Sequence, residues 1–365
     1  MRTRTLGLLA ATLAGMTATV PAATAETAPA PPPTFAAAVL VDADTGHVLY
    51  AKAAHVLLRP ASLTKTLTAM IAADWLPADA QVPVTAAAFN AYPDKVGMKP
   101  GQMWPLQIAL HALITDSAND AAYALAVDVA GSLPAFGSIM DLAAAELQLP
   151  DHPVLHDPAG LDRSEGVDGG NFMSAWDLAI TARDMMANPG LAAIAQEQTY
   201  DFEGPDHIAY HIVSRNLHFL RSYPGAIGVK TGFTDMAGYC DIEEADKGGR
   251  HMLAVVLQSD NPDAESATLL DAGFSIPVSR ESAYPTLPPV RQPYPLPPPT
   301  TTTIKQTTRP RSRVAAGPDP AVSRGGGQGW LWIAGAALLV TATGEATRRW
   351  VRRRSPRGAH SRRRS

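Results

Sequence analysis

Between Pro285 and Pro320 the chain carries more proline than a packed core tolerates, with Pro297-Pro298-Pro299 running into Thr300-Thr301-Thr302-Thr303. Proline fixes φ and removes a backbone donor, so this stretch is expected to be extended and solvated, rising about 3.1 Å per residue where polyproline II forms. Of the 365 residues, that leaves 34–279 as the one segment able to form a globular body. Its length suits a single domain, and no internal repeat is visible in it.

Both ends of the chain read as targeting segments. Arg2 and Arg4 precede an apolar run from Leu6 to Val20, and Ala23-Thr24-Ala25 offers the small-residue pattern of a signal-peptidase site, so 1–25 is expected to be a signal peptide. Near the other end, Gly325 to Gly344 carries no charge and has an apolar heart from Trp330 to Val340. Twenty such residues can just span a bilayer, and the arginines that begin at Arg348 and Arg349 are expected to remain on the cytoplasmic side. No Leu-Pro-x-Thr-Gly precedes the apolar run, as a wall-sorting signal requires. The expected order is therefore a signal peptide at 1–25, a domain at 34–279 outside the cell, a proline-rich stalk at 280–324, a transmembrane helix at 325–346 and a basic tail at 347–365.

The overall balance of 30 basic and 34 acidic side chains hides an acidic body. Nine arginines lie between Arg348 and Arg364 and two more are Arg2 and Arg4; residues 5–344 keep 19 basic and 33 acidic side chains, a net charge of −14. Such a surface repels phosphate backbones, so nucleic acid is not an expected partner. The single cysteine, Cys240, excludes an intrachain disulfide and a cysteine-based metal site, and its place after Tyr239 in an apolar run suits a packed core thiol. His152 and His156 are four apart, as are His207 and His211, but Pro153 breaks the first pair and neither has the His-Glu start of a zinc-protease motif. No metal and no cofactor are expected.

Within the body, Phe35 to Asp42 and His47 to Lys52 flank a turn and read as a hairpin. Ser62 to Leu76 has helical apolar spacing, and Ala118 to Ala130, Pro134 to Leu147 and Ser174 to Ala187 read as further helices. Ile227 to Lys230, Gly238 to Glu243 and His251 to Gln258 read as adjoining strands, followed by a helix over Ala264 to Phe274. This order predicts a mixed α/β (α+β) fold, a mostly antiparallel sheet covered by helices.

Ser62-Leu63-Thr64-Lys65 sets a hydroxyl and an amine on one helical face, within reach of a hydrogen bond. A serine needs a neighbouring base to become a nucleophile, and burial can lower a lysine's pKa enough for that work. Taken alone, the spacing is common. Ser117-Ala118-Asn119 at a helix start could be an ordinary cap, and Lys230-Thr231-Gly232 at the end of a predicted strand an ordinary turn. Together and in this order they match the S-x-x-K, S-D-N and K-T-G set of penicillin-binding proteins and β-lactamases.

The chain resembles the serine D-alanyl-D-alanine carboxypeptidases, low-molecular-mass penicillin-binding proteins. The likeness covers roughly Phe35 to Phe274 and extends to Met98-Lys99-Pro100-Gly101, Asp157-Pro158-Ala159-Gly160-Leu161 and Phe233-Thr234. Gly170-Asn171-Phe172-Met173-Ser174-Ala175 departs from it, lacking the histidine that members often carry before the Ser-Ala or Ser-Thr pair. The resemblance implies a serine β-lactamase/penicillin-binding-protein-like fold with a helical subdomain. It implies that Ser62 attacks the penultimate D-alanine carbonyl, Lys65 takes its proton, and Ser117 and Asn119 relay protons and position the amide. Lys230 and Thr231 would receive the terminal carboxylate, with Gly232 beside them, and the N–H groups of Ser62 and Phe233 would form the oxyanion hole. The implied partners are peptidoglycan stem peptides ending in D-Ala-D-Ala and β-lactams.

The same motifs serve β-lactamases, of which the class A enzymes use a glutamate in deacylation. Glu165 is the candidate between Leu149 and Asn171. Endopeptidase and transpeptidase activities share the acyl-enzyme and differ in the acceptor, and a non-catalytic sensing module would keep the fold.

Overall fold

The computed structural model describes residues 33–162 and 170–291. Glu165 and the expected signal peptide, transmembrane helix and basic tail, together with the stalk beyond residue 291, lie outside the described residues. The chain opens with strands β1 (Ala37–Asp42) and β2 (Val48–Lys52) and a short 3₁₀ turn, Ala61–Thr64, that leads into helix α1 (Lys65–Trp75). A mainly helical stretch follows: β3 (Gln81–Pro83), α2 (Ala86–Phe89), β4 (Met103–Pro105), α3 (Leu106–Ile114), α4 (Asn119–Ala130), α5 (Leu133–Glu146), α6 (Ala175–Met186) and α7 (Pro189–Ala195). It is completed by β5 (Thr199–Glu203), β6 (Ala209–Val213), α8 (Leu217–Ser222), β7 (Ala226–Thr234), β8 (Gly238–Asp246), β9 (His251–Ser259) and α9 (Pro262–Ser275).

The main sheet has the order β2-β1-β9-β8-β7, antiparallel throughout. β1 explains why it is covered on both sides. Every residue of Ala37–Asp42 is buried, and the two-residue period of a strand sends Ala37, Val39 and Val41 into one apolar cluster and Ala38 and Leu40 into another. The first cluster holds Leu63 and Leu67 of the 3₁₀ turn and α1, and the second holds Leu269 and Leu270 of α9. Each such aliphatic side chain contributes about 1.5–3 kcal/mol relative to exposure. α1 packs on α3, α4, α5 and α6, and α6 packs in turn on β1 and β9, so these helices link the sheet layer to the helical block. This is the expected antiparallel sheet covered by helices. Among the described residues no single helix is long and apolar enough to cross a membrane.

Two boundaries differ from expectation. Residues 280–291, given to the stalk by composition, belong to the folded body. The Pro285 carbonyl accepts from Val48 N at 2.8 Å, Leu287 N donates to Gly46 O at 2.9 Å, and Arg291 pairs with Asp184 at 3.0 Å and Asp74 at 3.1 Å. A proline can serve there because β2 is an edge strand that needs only its carbonyl. At Ser62, the α-helix begins three residues late, because Ala61 takes a left-handed φ of 49° and the chain tightens into the 3₁₀ turn first.

Candidate active site

Ser62 stands in that turn, directly after the strained Ala61; a non-glycine residue at positive φ costs of order 1–3 kcal/mol and persists only where its surroundings hold it. What holds it is visible on two sides. An added Cβ on Gly232 of β7 would come within 3.0 Å of Ser62 N and 3.2 Å of Pro60 O, so a side chain there would press this strand away from the turn. On the other side Gly160, at φ 80°, lies so close that an added Cβ would be 1.8 Å from the Ala61 carbonyl oxygen.

Lys65, first residue of α1, is wholly buried. Its Nζ donates to Asn119 Oδ1 at 2.8 Å and to the Ala159 carbonyl at 3.0 Å, and lies 2.7 Å from Ser62 Oγ. The Asn119 amide is oriented by its own Nδ2, which donates to the carbonyls of Tyr92 and Pro93 at 3.2 and 2.9 Å. Two of the three Lys65 contacts are therefore to oxygens that can only accept. A neutral amine has two N–H donors and one lone pair, so the lone pair is left for the Ser62 hydroxyl. Burial, and then the positive charge of Lys230, push the Lys65 pKa well below its usual range, which favours that neutral form.

The loop carrying Ala159 is itself fastened. Asp157 accepts from the backbone N–H groups of Ala159 and Leu161 at 2.8 and 3.0 Å, and Asn171 bonds the backbone of 156–157 and the Thr64 hydroxyl. Asn171, in the stretch that departs from the family pattern, is thus a buried brace, and Ser174 caps α6 by accepting from Asp177 N.

Ser62 opens onto two adjoining cavities of about 460 and 330 Å³. Asn119 and Phe233 line the first, and Ser117, Thr231, Gly232 and Phe233 the second. Ser117 takes a left-handed φ of 61° just before α4, so it is not the helix cap that a Ser-x-Asn pattern also allows. Lys230, Thr231 and Gly232 lie inside β7, which runs on to Thr234, rather than at a strand end or turn. Lys230 is placed differently from expectation: it is 2% exposed, its Nζ donates to Thr231 O at 2.8 Å, and it lines neither cavity. Burial pulls its pKa down to about 8, with Asp241 supporting its charge and Arg215 opposing it. The cation on the wall of the second cavity is Arg215, paired with Asp116 at 3.1 Å. Sequence reasoning missed Arg215 because a lone arginine in a loop carries no spacing signal. It also missed the Ala159, Tyr92 and Pro93 carbonyls, which have no side-chain signature.

Of the other candidates, Cys240 is fully buried, its thiol pushed up to about 12 chiefly by burial. His207 and His211 pair separately with Glu203 and Asp201 on the β5–β6 hairpin, at 2.8 and 2.6 Å.

The sequence profile of D-alanyl-D-alanine carboxypeptidases matches residues 24–261. The chain belongs to the D-alanyl-D-alanine carboxypeptidase family. The chain is 32% identical to DacB2 of Mycobacterium tuberculosis over 244 residues, 65% of this chain and 81% of that one. It is 31% identical to DacF of Bacillus subtilis over 247 residues, 65% of this chain and 61% of the relative, so it spans less than two thirds of the latter. Among solved structures, the D-alanyl-D-alanine carboxypeptidase of Mycobacterium tuberculosis H37Rv aligns with a TM-score of 0.63 at 31% identity, covering 70% of this chain and 96% of that one. The chain has the penicillin-binding-protein-like fold that the resemblance implied.

Proposed function

We propose that the protein is a serine D,D-carboxypeptidase that removes the terminal D-alanine of peptidoglycan stem peptides through an acyl-enzyme on Ser62, and that β-lactams acylate the same serine. The observation that carries this reading is the Lys65 amine, buried and 2.7 Å from Ser62 Oγ with its two other contacts taken by acceptors. Ser62 Oγ attacks the penultimate D-alanine carbonyl as its proton passes to Lys65 Nζ. The oxyanion is met by the backbone N–H groups of Ser62 and Phe233. Asn119 positions the substrate amide, and Ser117 carries a proton to the departing D-alanine nitrogen. Water then cleaves the ester. Thr231 and Arg215 receive the terminal carboxylate from the cavity wall, and Lys230 adds its charge from behind.

Release of D-alanine from a stem peptide ending in D-Ala-D-Ala tests the reading; no release by the wild-type protein, or undiminished release by Ser62→Ala, contradicts it. Carboxylate recognition has its own signature. Lys230→Ala should cost a carboxylate-bearing substrate about 10–100-fold in kcat/KM, the worth of a charged hydrogen bond, and spare a matched ester lacking the carboxylate. Because the Lys230 pKa is lowered to about 8, its charge is present below that pH. The wild-type preference for the carboxylate-bearing member should therefore decline as pH rises through about 8. Equal losses on both members, or a preference flat with pH, would remove Lys230 from that role.

Enzymes of this family work on the cell wall outside the cytoplasm. We further propose that 1–25 directs export, that 325–346 anchors the protein, and that the proline-rich chain between the domain and the anchor spaces the two. Deleting everything after Pro320 should release active protein into the medium, and full-length protein equally soluble outside cells would contradict the anchor.

A further inference from the structure

On the sheet beside the second cavity stands an acidic group that the proposed reaction does not use. Asp241 and Glu243 are two apart on β8 and so share one face of the sheet. Asp263 joins them from the first turn of α9. One carboxylate oxygen from each lies within 4.8 Å of the others. Asp241 is 2% and Glu243 0% exposed, and Asp241 Oδ2 and Glu243 Oε1 are buried without a hydrogen-bond partner. A neutral group points to the same conclusion. Asn216, at the start of α8 and 5% exposed, donates Nδ2 to Glu243 Oε2 at 2.7 Å, while its own Oδ1 is buried with no partner.

The surrounding charges do not balance this group. Lys230 is the nearby buried cation and its charge acts on Asp241 and Glu243, but it is one charge against three carboxylates and its hydrogen bond goes to the Thr231 carbonyl; Arg215, on the wall of the same cavity, is paired with Asp116. His218 pairs with Asp263 from the solvent side. Three ionised carboxylates crowded together, two of them removed from water, are costly unless protons or a cation neutralise them. The donors are all oxygen, the choice of hard ions. Three protein carboxylates in one cluster suit calcium, which takes six to eight oxygens in a flexible site, better than magnesium, which keeps several waters and is usually held by one or two carboxylates. Access exists as well, since Asp241 and Asp263 both line the second cavity.

We propose that Asp241, Glu243 and Asp263, with the carboxamide oxygen of Asn216, bind a calcium-sized divalent cation that ties β8 to the starts of α8 and α9 beside the substrate cleft. The ion is structural: Ser62 and Lys65 work without it, and it neutralises the acidic group directly behind the Thr231 strand. The expectation of no metal, reached from histidine and cysteine spacing, did not weigh carboxylates contributed by separate elements.

The test uses the purified protein stripped with a chelator and desalted, at neutral pH, with calcium chloride and magnesium chloride as probes. Calcium should bind with single-site calorimetric saturation and raise the unfolding midpoint by about 5–10 °C at about a hundredfold excess over Kd. Magnesium should bind more weakly. Asp241→Asn and Glu243→Gln, nearly isosteric, should each weaken calcium binding at least about tenfold, as expected from losing one carboxylate ligand, and should raise the midpoint of the stripped protein by relieving repulsion. No heat and no midpoint change with either ion would overturn the proposal and leave shared protons as what neutralises the group. A calcium response undiminished in both variants would overturn it too, by placing the ion elsewhere. None of these readouts depends on peptidase activity, so failure here and failure of the carboxypeptidase reading are distinguishable.

Discussion

Lys65→Ala is expected to slow acylation of Ser62 by at least about 10²–10⁴-fold, the range typical of a positioned general base. The loss should be similar for a β-lactam, a D-Ala-D-Ala peptide and a simple thioester, because the proton leaves the same hydroxyl in each case. The sign of the pH dependence follows from burial. Desolvation and the Lys230 charge lower the folded pKa of Lys65 below its usual value, so the amine is a base only above that lowered pKa. Wild-type acylation by a neutral ester should rise with pH and level off, and the residual rate of the variant should lack that rise. Pre-steady-state acylation across pH measures both features. A variant that keeps the wild-type rate, or the same pH rise, would assign the base elsewhere.

The second large effect is expected at a residue with no side chain to titrate. Gly160→Ala introduces a Cβ at 1.8 Å from the Ala61 carbonyl oxygen, at a φ of 80° that side chains seldom adopt. The left-handed backbone alone costs of order 1–3 kcal/mol, and the contact cannot be relieved by a flexible side chain because it is to backbone. Relief requires the 157–161 loop to move away from the 3₁₀ turn. That same loop supplies the Ala159 carbonyl to Lys65 Nζ and the Pro158 carbonyl to the Thr68 hydroxyl at 2.7 Å. The variant should therefore lose both stability and acylation, with a drop in Tm of several degrees. As a control, Gly131→Ala, also at positive φ but with nothing within 4 Å of the added Cβ, should show the backbone cost alone and keep the acylation rate. Thermal melts and acylation rates on the pair separate the two, and a Gly160→Ala protein indistinguishable from Gly131→Ala would refute the clamp.

The central strands were legible because β1 and β9 are apolar runs buried on both faces, where period and composition agree. The helices α4, α5 and α6 were legible for a similar reason, their apolar spacing continuing over three turns or more. The short pairs β3–β4 and β5–β6 were not. Thr199–Glu203 alternates half-buried and exposed residues and gets its order from an aromatic stack of Tyr200, Phe202 and Tyr210 rather than from local pattern. In the site, Ser62, Lys65 and Asn119 could be read because they belong to motifs of side chains at fixed spacing. What fixes them is largely backbone: the Ala61 strain, the Ala159 carbonyl and the close approach of Gly232. Arg215, and the joining of Asp263 to Asp241 and Glu243, arise from elements distant in sequence, which no spacing within one segment encodes.

Intact-protein mass spectrometry after treatment with benzylpenicillin tests most directly whether Ser62 is a nucleophile activated by Lys65. The predicted result is one covalent adduct of the whole antibiotic per chain, mapped by peptide digestion to Ser62 and absent from Ser62→Ala. A folded wild-type protein that gains no adduct, or an adduct that persists in Ser62→Ala, would contradict it.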